Sequence, residues 1–202
     1  MNGEISRAEF LSKGARGGAA LLVAGTAVAA LAPVAAADPL SDNDLAIARV
    51  LVAAELLGID FYTQSIKANK LDKEDAKRFA QILSNEKEHY QSVAQILSGA
   101  GQVPATADDI DMAYPKGTFD SAASINKQAQ TIETIMLGCY LGAVSGLAAA
   151  ALVPGVSMIA ASEAQHVGFF QGKLTGHPFG LAFPGPALNF DKATVALDKY
   201  QS

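Results

Sequence analysis

Hydrophobic residues recur every three or four positions in four stretches of the chain, which predicts four amphipathic helices. The first runs from Ser41 through Ile66 and the second from Asp72 to about Leu97. A third begins near Ser121, and a fourth ends at "GKLTGHP". Strict alternation of apolar and polar residues, the signature of strands, is not seen. The pattern predicts an all-α fold.

Turn-forming residues divide these helices into two pairs. The polar stretch "KANKLDKED" separates the first two, and the third is expected to end near Gly146, with Pro154 in the opening turns of the fourth. Residues 99–119 show no helical pattern and contain two prolines and three glycines, so they form a long connection. The prediction is a four-helix bundle of two antiparallel helical hairpins joined by a long crossover.

The hydrophobic pattern also predicts three segments. Residues 1–37 are interpreted as a signal peptide, residues 38–175 as the bundle, and residues 176–202 as a tail that packs on the bundle with a short helix after Asp191. "SRAEFLSKG" resembles a twin-arginine export signal, although Ala8 occupies the place of the second arginine, so ordinary unfolded export is the alternative. The protein is therefore expected to be exported to the periplasm, cell envelope or exterior. A retained signal anchor is the alternative to cleavage after Ala37.

Composition narrows the possible functions. Half of the 202 residues are hydrophobic and 17% are charged, which argues for a folded core. The formal net charge is −5 and the basic residues are scattered, so a nucleic-acid partner is not expected. The single cysteine, Cys139, excludes an intramolecular disulfide and a zinc site built on several thiolates, and it is interpreted as a core residue.

The chemistry centres on a short motif that occurs twice. Glu86 and His89 lie three residues apart on the apolar face of the second helix, and Glu163 and His166 repeat this pair on the fourth. The first and third helices each contribute one inward acid, Glu55 and Glu133. The outer face of the second helix is predicted to hold four polar residues: Asn85, Lys87, Glu88 and Gln91.

The spacing of these residues indicates that one hairpin is a copy of the other. Glu55 precedes Glu86 by 31 residues, and Glu133 precedes Glu163 by 30. A tyrosine follows the single acid by seven residues in both halves, at positions 62 and 140. Tyr62 and Tyr140 are interpreted either as partners that orient the carboxylates or as ordinary core aromatics.

Four carboxylates inside a bundle require positive charge, because burial of an unpaired anion costs several kcal/mol. No lysine or arginine lies between Lys127 and Lys173. Two divalent cations would balance four carboxylates, and oxygen and imidazole ligands suit iron or manganese better than zinc. Glu55, Glu86, His89, Glu133, Glu163 and His166 are therefore the predicted ligands of two iron or manganese ions.

This ligand set, together with "FDSAASINKQAQTIETIMLGCYLGA" and "SMIAASEAQHV", resembles the ferritin-like superfamily over about residues 41–175. In particular it is similar to exported bacterial ferritin-like domain proteins related to plant desiccation-associated proteins. The resemblance implies the same six metal ligands.

Two functional hypotheses follow. The first is a dinuclear redox protein that acts on oxygen or peroxide, either by oxidising ferrous iron or by removing peroxide. The second is a cell-envelope or stress-related binding protein whose metal site is structural or vestigial. The expected partners are metal ions and small oxidants, and a homo-oligomer is possible; iron storage would require a hollow assembly.

Overall fold

The computed structural model describes residues 39–180 and 185–201. In this part of the chain the structure is helical, with five α-helices and two short 3-10 turns. The α-helices are α1 (Asp42–Lys67), α2 (Lys73–Gly99), α3 (Ala122–Gly146), α4 (Val153–Thr175) and α5 (Phe190–Leu197); the 3-10 turns are Ala107–Asp109 and Asp198–Tyr200. The predicted all-α fold and its four long helices are confirmed.

Local sequence signals account for where the helices begin and end. The side chains of Ser41, Asp72 and Ser121 accept hydrogen bonds from backbone N–H groups in the first turns of α1, α2 and α3, as N-caps do. Proline lies in the first turn of α4, where its missing N–H costs no helical hydrogen bond. Gly176 ends α4 in the left-handed conformation, with a φ of 76°.

The helices pack as two hairpins. Helix α1 packs against α2 and helix α3 against α4, while α1 and α3 pack against each other and join the hairpins. One contiguous core of buried apolar residues lies between them; its largest side chains include Phe61, Phe79, Ile132, Met136 and Phe170. The crossover, residues 100–121, contains no α-helix; it holds a short 3-10 turn at Ala107–Asp109 and a β-bridge from Met112 to Gln201.

The carboxyl-terminal segment packs on the first and third helices. Helix α5 contacts α1 and α3, and the Leu188 N–H donates to the Gly138 carbonyl over 2.8 Å. A Cβ atom at Gly142 would lie 1.7 Å from the Leu188 carbonyl oxygen, so only glycine permits this approach. The Ala113 N–H in turn donates to the Tyr200 carbonyl at 2.7 Å, which ties the crossover to the tail.

The predicted signal peptide, residues 1–37, lies outside the described residues. Within the described ranges, no helix combines the length and the apolar character that a membrane crossing requires.

Candidate metal centre

Four glutamates, one from each long helix, meet in the middle of the bundle. Glu55, Glu86, Glu133 and Glu163 are each 0% exposed to solvent. They lie on the inner faces of α1, α2, α3 and α4, because the apolar stripes on either side of them turn those faces toward the core. The sequence-predicted carboxylates are therefore brought together.

The two histidines point their Nδ1 atoms into the same cluster. His89 Nδ1 lies 2.9 Å from Glu163 Oε1 and 3.3 Å from Glu86 Oε2. His166 Nδ1 lies 3.1 Å from Glu86 Oε1, 3.3 Å from Glu133 Oε2 and 3.5 Å from Glu163 Oε2. Each histidine thus contacts acids from both hairpins.

The ligand atoms form two overlapping groups. One consists of Glu55, Glu86, Glu163 and His89, the other of Glu86, Glu133, Glu163 and His166, and within each group the ligand atoms lie within 4.8 Å of one another. Glu86 and Glu163, the acids of the two Glu-x-x-His pairs, belong to both groups. Each group gathers carboxylate oxygen and imidazole nitrogen atoms that suit a metal ion.

Several of these atoms have no hydrogen-bond partner. They are Glu55 Oε2, Glu86 Oε1, Glu133 Oε2, both carboxylate oxygens of Glu163, and Nδ1 of His166. Nδ1 of His166 is within 3.5 Å of three carboxylates, yet none of these contacts has hydrogen-bond geometry. Buried polar groups are normally satisfied. The residues present therefore fit a positively charged group held between them.

Two buried tyrosines form hydrogen bonds with Glu55 and Glu133, the two carboxylates that each belong to only one of the ligand groups. Tyr62 on α1 donates its hydroxyl hydrogen to Glu133 on α3, and Tyr140 on α3 donates to Glu55 on α1. Both rings are 0% exposed. The bonds cross from one hairpin to the other, so each tyrosine orients the acid of the opposite half rather than the acid seven residues before it.

Burial and mutual repulsion perturb the ionisation of the cluster. Burial, together with the charges of Glu86 and Glu163, raises the pKa of Glu55 well above its ordinary value. Burial likewise raises the pKa of Glu133 to about 7, although the neighbouring His166 opposes the shift. Burial thus disfavours the ionised forms of Glu55 and Glu133.

The histidines respond in the opposite sense. Burial opposes the charged imidazole of His89, but the carboxylates of Glu163 and Glu86 outweigh it and raise its pKa to about 9. The pKa of His166 is also raised, because Glu133 and the other acids outweigh its burial. Among the described residues, these imidazoles are the only basic groups in ion-pair contact with the four acids.

An aromatic cluster packs beside Tyr62. The ring centroid of Tyr62 lies 5.3 Å from that of Phe79 and 6.4 Å from that of Phe170, and the two phenylalanine centroids are 5.5 Å apart. All three rings are fully buried. They exclude water from this end of the carboxylate cluster.

Other acidic, thiol and imidazole side chains lie outside the two ligand groups. Glu88 is exposed, and Asp60 accepts a hydrogen bond from the Tyr114 hydroxyl at 2.7 Å. Cys139 is buried as a free thiol and belongs to neither ligand group. His177 lies exposed in the segment after α4.

One prediction about the outer face of α2 is wrong. Lys87, Glu88 and Gln91 are exposed as expected, but Asn85 is half-buried, and its Nδ2 lies 3.1 Å from Nε2 of His166. Asn85 precedes His89 by four residues, so the two share one stripe of the helix surface. That spacing was the signal in the sequence that could have identified it.

Gly58 and Met136 were also missed. They occupy corresponding positions of the two halves, three residues after Glu55 and Glu133, and they touch across the core. A Cβ atom at Gly58 would lie 3.0 Å from Cε of Met136 and 3.3 Å from Cγ of Glu86. Glycine in one half therefore leaves the room that methionine of the other half fills.

A helical bundle that buries four carboxylates and two imidazoles in overlapping groups defines a class of protein, the carboxylate-histidine bundle with a candidate metal site. The family model of the ferritin-like domain matches residues 43–195, and the chain belongs to that family. No curated protein matches the chain.

Proposed function

We propose that the protein binds two iron or manganese ions and is redox-active toward oxygen or peroxide. The observation that carries the proposal is the pair of overlapping ligand groups that share Glu86 and Glu163. One ion would be held by Glu55 and His89 and the other by Glu133 and His166, with the two shared acids contributing to both. Four carboxylates would then balance the charge of two divalent ions.

The kind of ligand supports iron or manganese. Carboxylate oxygen and imidazole nitrogen are the donors, and the described thiol, Cys139, stands apart from both groups. When bound, either metal supplies a redox couple that exchanges electrons with oxygen or peroxide.

The surrounding residues would orient the ligands and restrict access to the site. Tyr62 and Tyr140 hold Glu133 and Glu55 in place, which leaves the other oxygen of each acid, both without a hydrogen-bond partner, directed to the cluster. The aromatic cluster excludes water beside Tyr62. The His89 side chain is 12% exposed, compared with 6% for His166 and 0% for the acids, so the His89 edge is the side from which an oxidant would approach.

The test is metal content combined with turnover. Protein produced with iron and manganese supplied should hold about two ions per chain, oxidise ferrous iron or consume peroxide above background, and lose both properties in Glu163→Ala. Glu88→Ala, which changes an exposed acid of α2, is the matched control and should behave as the original protein.

Two results would overturn the proposal in different ways. Fewer than about one ion per chain, unchanged by Glu163→Ala, would remove the metal site altogether. Full occupancy with background rates toward both ferrous iron and peroxide would contradict the redox activity and favour the structural-metal alternative.

A further inference from the structure

The imidazole of His166 bridges the carboxylate cluster and Asn85. Its Nδ1 faces Glu86 and Glu133 at 3.1 and 3.3 Å, and its Nε2 lies 3.1 Å from Nδ2 of Asn85. Asn85 is on α2 and His166 on α4, so this contact joins the two helices that carry the Glu-x-x-His pairs. Nε2 is therefore within hydrogen-bond distance of Asn85, while Nδ1 faces the carboxylates without a hydrogen-bond partner.

The proton on this ring decides which nitrogen binds a metal. A neutral imidazole carries one N–H, and only the other nitrogen offers a lone pair. For Nδ1 to bind a metal, the proton must sit on Nε2, and an acceptor must face Nε2. An asparagine amide has an acceptor on one side and a donor on the other, so a half-turn of its amide group places Oδ1 of Asn85 against Nε2 of His166.

The hydrogen-bond chain continues in a way that permits this half-turn. Nε2 of Gln81 donates to Oδ1 of Asn85 at 3.2 Å, and Gln81 lies exposed one turn before Asn85 on α2. Because the amide of Gln81 also has both a donor and an acceptor, it remains a partner when Asn85 turns. Asn85 can therefore present Oδ1 to Nε2 of His166 when a metal takes Nδ1.

The other half of the duplicated site lacks this arrangement. Ser162 occupies the position that corresponds to Asn85, immediately before the shared acid. Within residues 39–180 and 185–201, the His89 ring contacts only carboxylates through Nδ1, and its Nε2 has no hydrogen bond like that between Asn85 and His166. His89 is also the more exposed of the two imidazoles, with 12% of its side chain accessible against 6%.

We propose that Asn85 is a positioning residue that holds His166 with its proton on Nε2 and its Nδ1 free for metal, and that the two ion positions therefore differ in affinity. The metal ion held by Glu133 and His166 binds more tightly. The metal ion held by Glu55 and His89 binds more weakly and exchanges more readily. The inference rests on the proposed two-ion site.

The experiment is a titration of the metal-free protein with Co²⁺, followed by optical absorption and calorimetry. The original protein should take up two Co²⁺ in two distinguishable steps. Asn85→Ala should weaken the tighter step by about 10–100-fold and leave the weaker step unchanged. Asn85→Asp, which keeps an acceptor, should retain the tight step.

The matched control is Ser162→Ala, the same truncation at the corresponding position, which should change neither step by more than about 2-fold. Alanine favours helix more than asparagine, so Asn85→Ala is expected to fold, and circular dichroism checks this directly. Should Asn85→Ala fail to fold, Asn85→Asp and Asn85→Gln carry the test, because glutamine displaces the amide and should weaken the tight step.

The outcomes separate the inference from the proposed function. If the original protein binds no Co²⁺, the two-ion proposal fails and the inference fails with it. If it binds two Co²⁺ but Asn85→Ala binds both as the original does, or weakens both steps equally, only the role of Asn85 is overturned.

A spectroscopic measurement tests the proton position independently of affinity. The chain has three histidines, so ¹⁵N labelling of histidine resolves each imidazole in the protein loaded with Zn²⁺ as a diamagnetic probe. His166 should show a protonated Nε2 and a metal-bound Nδ1. In Asn85→Ala, the proton on Nε2 should exchange with solvent more readily. Binding of Zn²⁺ through Nε2 of His166 would overturn the inference.

Discussion

The two helical hairpins carry the same candidate ligands but differ in composition and in several of the residues around them. The first turns through the polar stretch between Lys67 and Asp75, whereas the second turns through an alanine-rich stretch and is nearly free of charge between Lys127 and Lys173. Yet their four acids and two histidines meet in one cluster. The ligand register is what the two halves share, so the cluster depends on position along the helix and not on the composition of the helix surface.

The differences near the cluster are complementary. Gly58 of the first hairpin opposes Met136 of the second, and Asn85 reaches His166 where Ser162 has no corresponding bond. A symmetric pair of methionines would collide, and a pair of glycines would leave a cavity. The candidate ligands at the centre of the bundle are therefore nearly symmetric, whereas the residues that pack against them are not.

The largest expected effect distinguishes shared from unshared acids. Glu86→Ala and Glu163→Ala each remove a ligand common to both groups and should reduce bound metal from about two ions per chain to nearly none. Glu55→Ala and Glu133→Ala remove a ligand of one group and should leave about one ion. Metal analysis after dialysis measures this. Equal losses in all four variants would contradict the assignment of shared acids.

The next largest expected effect concerns the metal-free protein. Its free energy of unfolding should decrease as pH rises. Folding raises the pKa of Glu133 from 4.5 to about 7 and that of His89 from 6.5 to about 9. Between each pair of values the folded state holds more protons than the unfolded state, so the free energy of unfolding decreases with pH. The Tm of metal-free protein should fall from pH 4.5 to about 9.

Bound metal should reverse that trend, since its ligands bind in their deprotonated forms and binding strengthens as pH rises. The gap in Tm between loaded and metal-free protein should widen toward alkaline pH. In metal-free Glu133→Gln, the part of the slope between pH 4.5 and about 7 should shrink. A Tm of metal-free protein that rises over this interval would be the contrary result.

The contact between Gly58 and Met136 offers a test of complementarity. Met136→Ala should lower the free energy of unfolding by about 2–5 kcal/mol, because it opens a cavity beside Glu86. Gly58→Ala should change it by only about 1 kcal/mol, since the flexible end of Met136 yields and alanine favours helix. Met158→Ala, at a position 60% exposed, is the control. Denaturation showing equal costs for Met136→Ala and Met158→Ala would refute the packing argument.

The smallest expected effect concerns the crossed tyrosines. Tyr62→Phe and Tyr140→Phe should each lower the free energy of unfolding by about 1–3 kcal/mol, because a buried carboxylate loses its hydrogen-bond donor. Chemical denaturation of metal-free protein measures both. Because the two bonds cross symmetrically, the two losses in the free energy of unfolding should be similar. The control is Tyr90→Phe, which removes a hydroxyl that donates to the Ala105 carbonyl. A large loss for only one of the two would show that the halves are not equivalent here.

Residue spacing was sufficient to predict the ligand cluster. Glu86 and His89 share a helix face because they are three residues apart, and the nearly equal spacings from Glu55 to Glu86 and from Glu133 to Glu163 put all the acids at about one level in an antiparallel bundle. The ends of α3 at Gly146 and of α4 at Gly176 could be anticipated from glycine and proline positions. These features are local, so the sequence carries them directly.

Residue spacing could not show which side chains would form hydrogen bonds with the opposite hairpin. Tyr62 lies seven residues after Glu55, yet it bonds to Glu133, and Asn85, predicted to face outward, bonds to His166. Both contacts depend on the distance and rotation between helices from different hairpins. Those quantities follow from packing of the whole core and are absent from any single periodic pattern.

The amino-acid sequence by itself determined the helices, their caps, the four inward acids and the two histidines, because a helix places residues at fixed angular intervals. Only the tertiary structure decided that Glu86 and Glu163 belong to both ligand groups, that the tyrosines cross, and that the glycines of α3 receive the carboxyl-terminal segment. The physical reason is that local periodicity sets which face a residue occupies, while close packing between helices sets what that face meets.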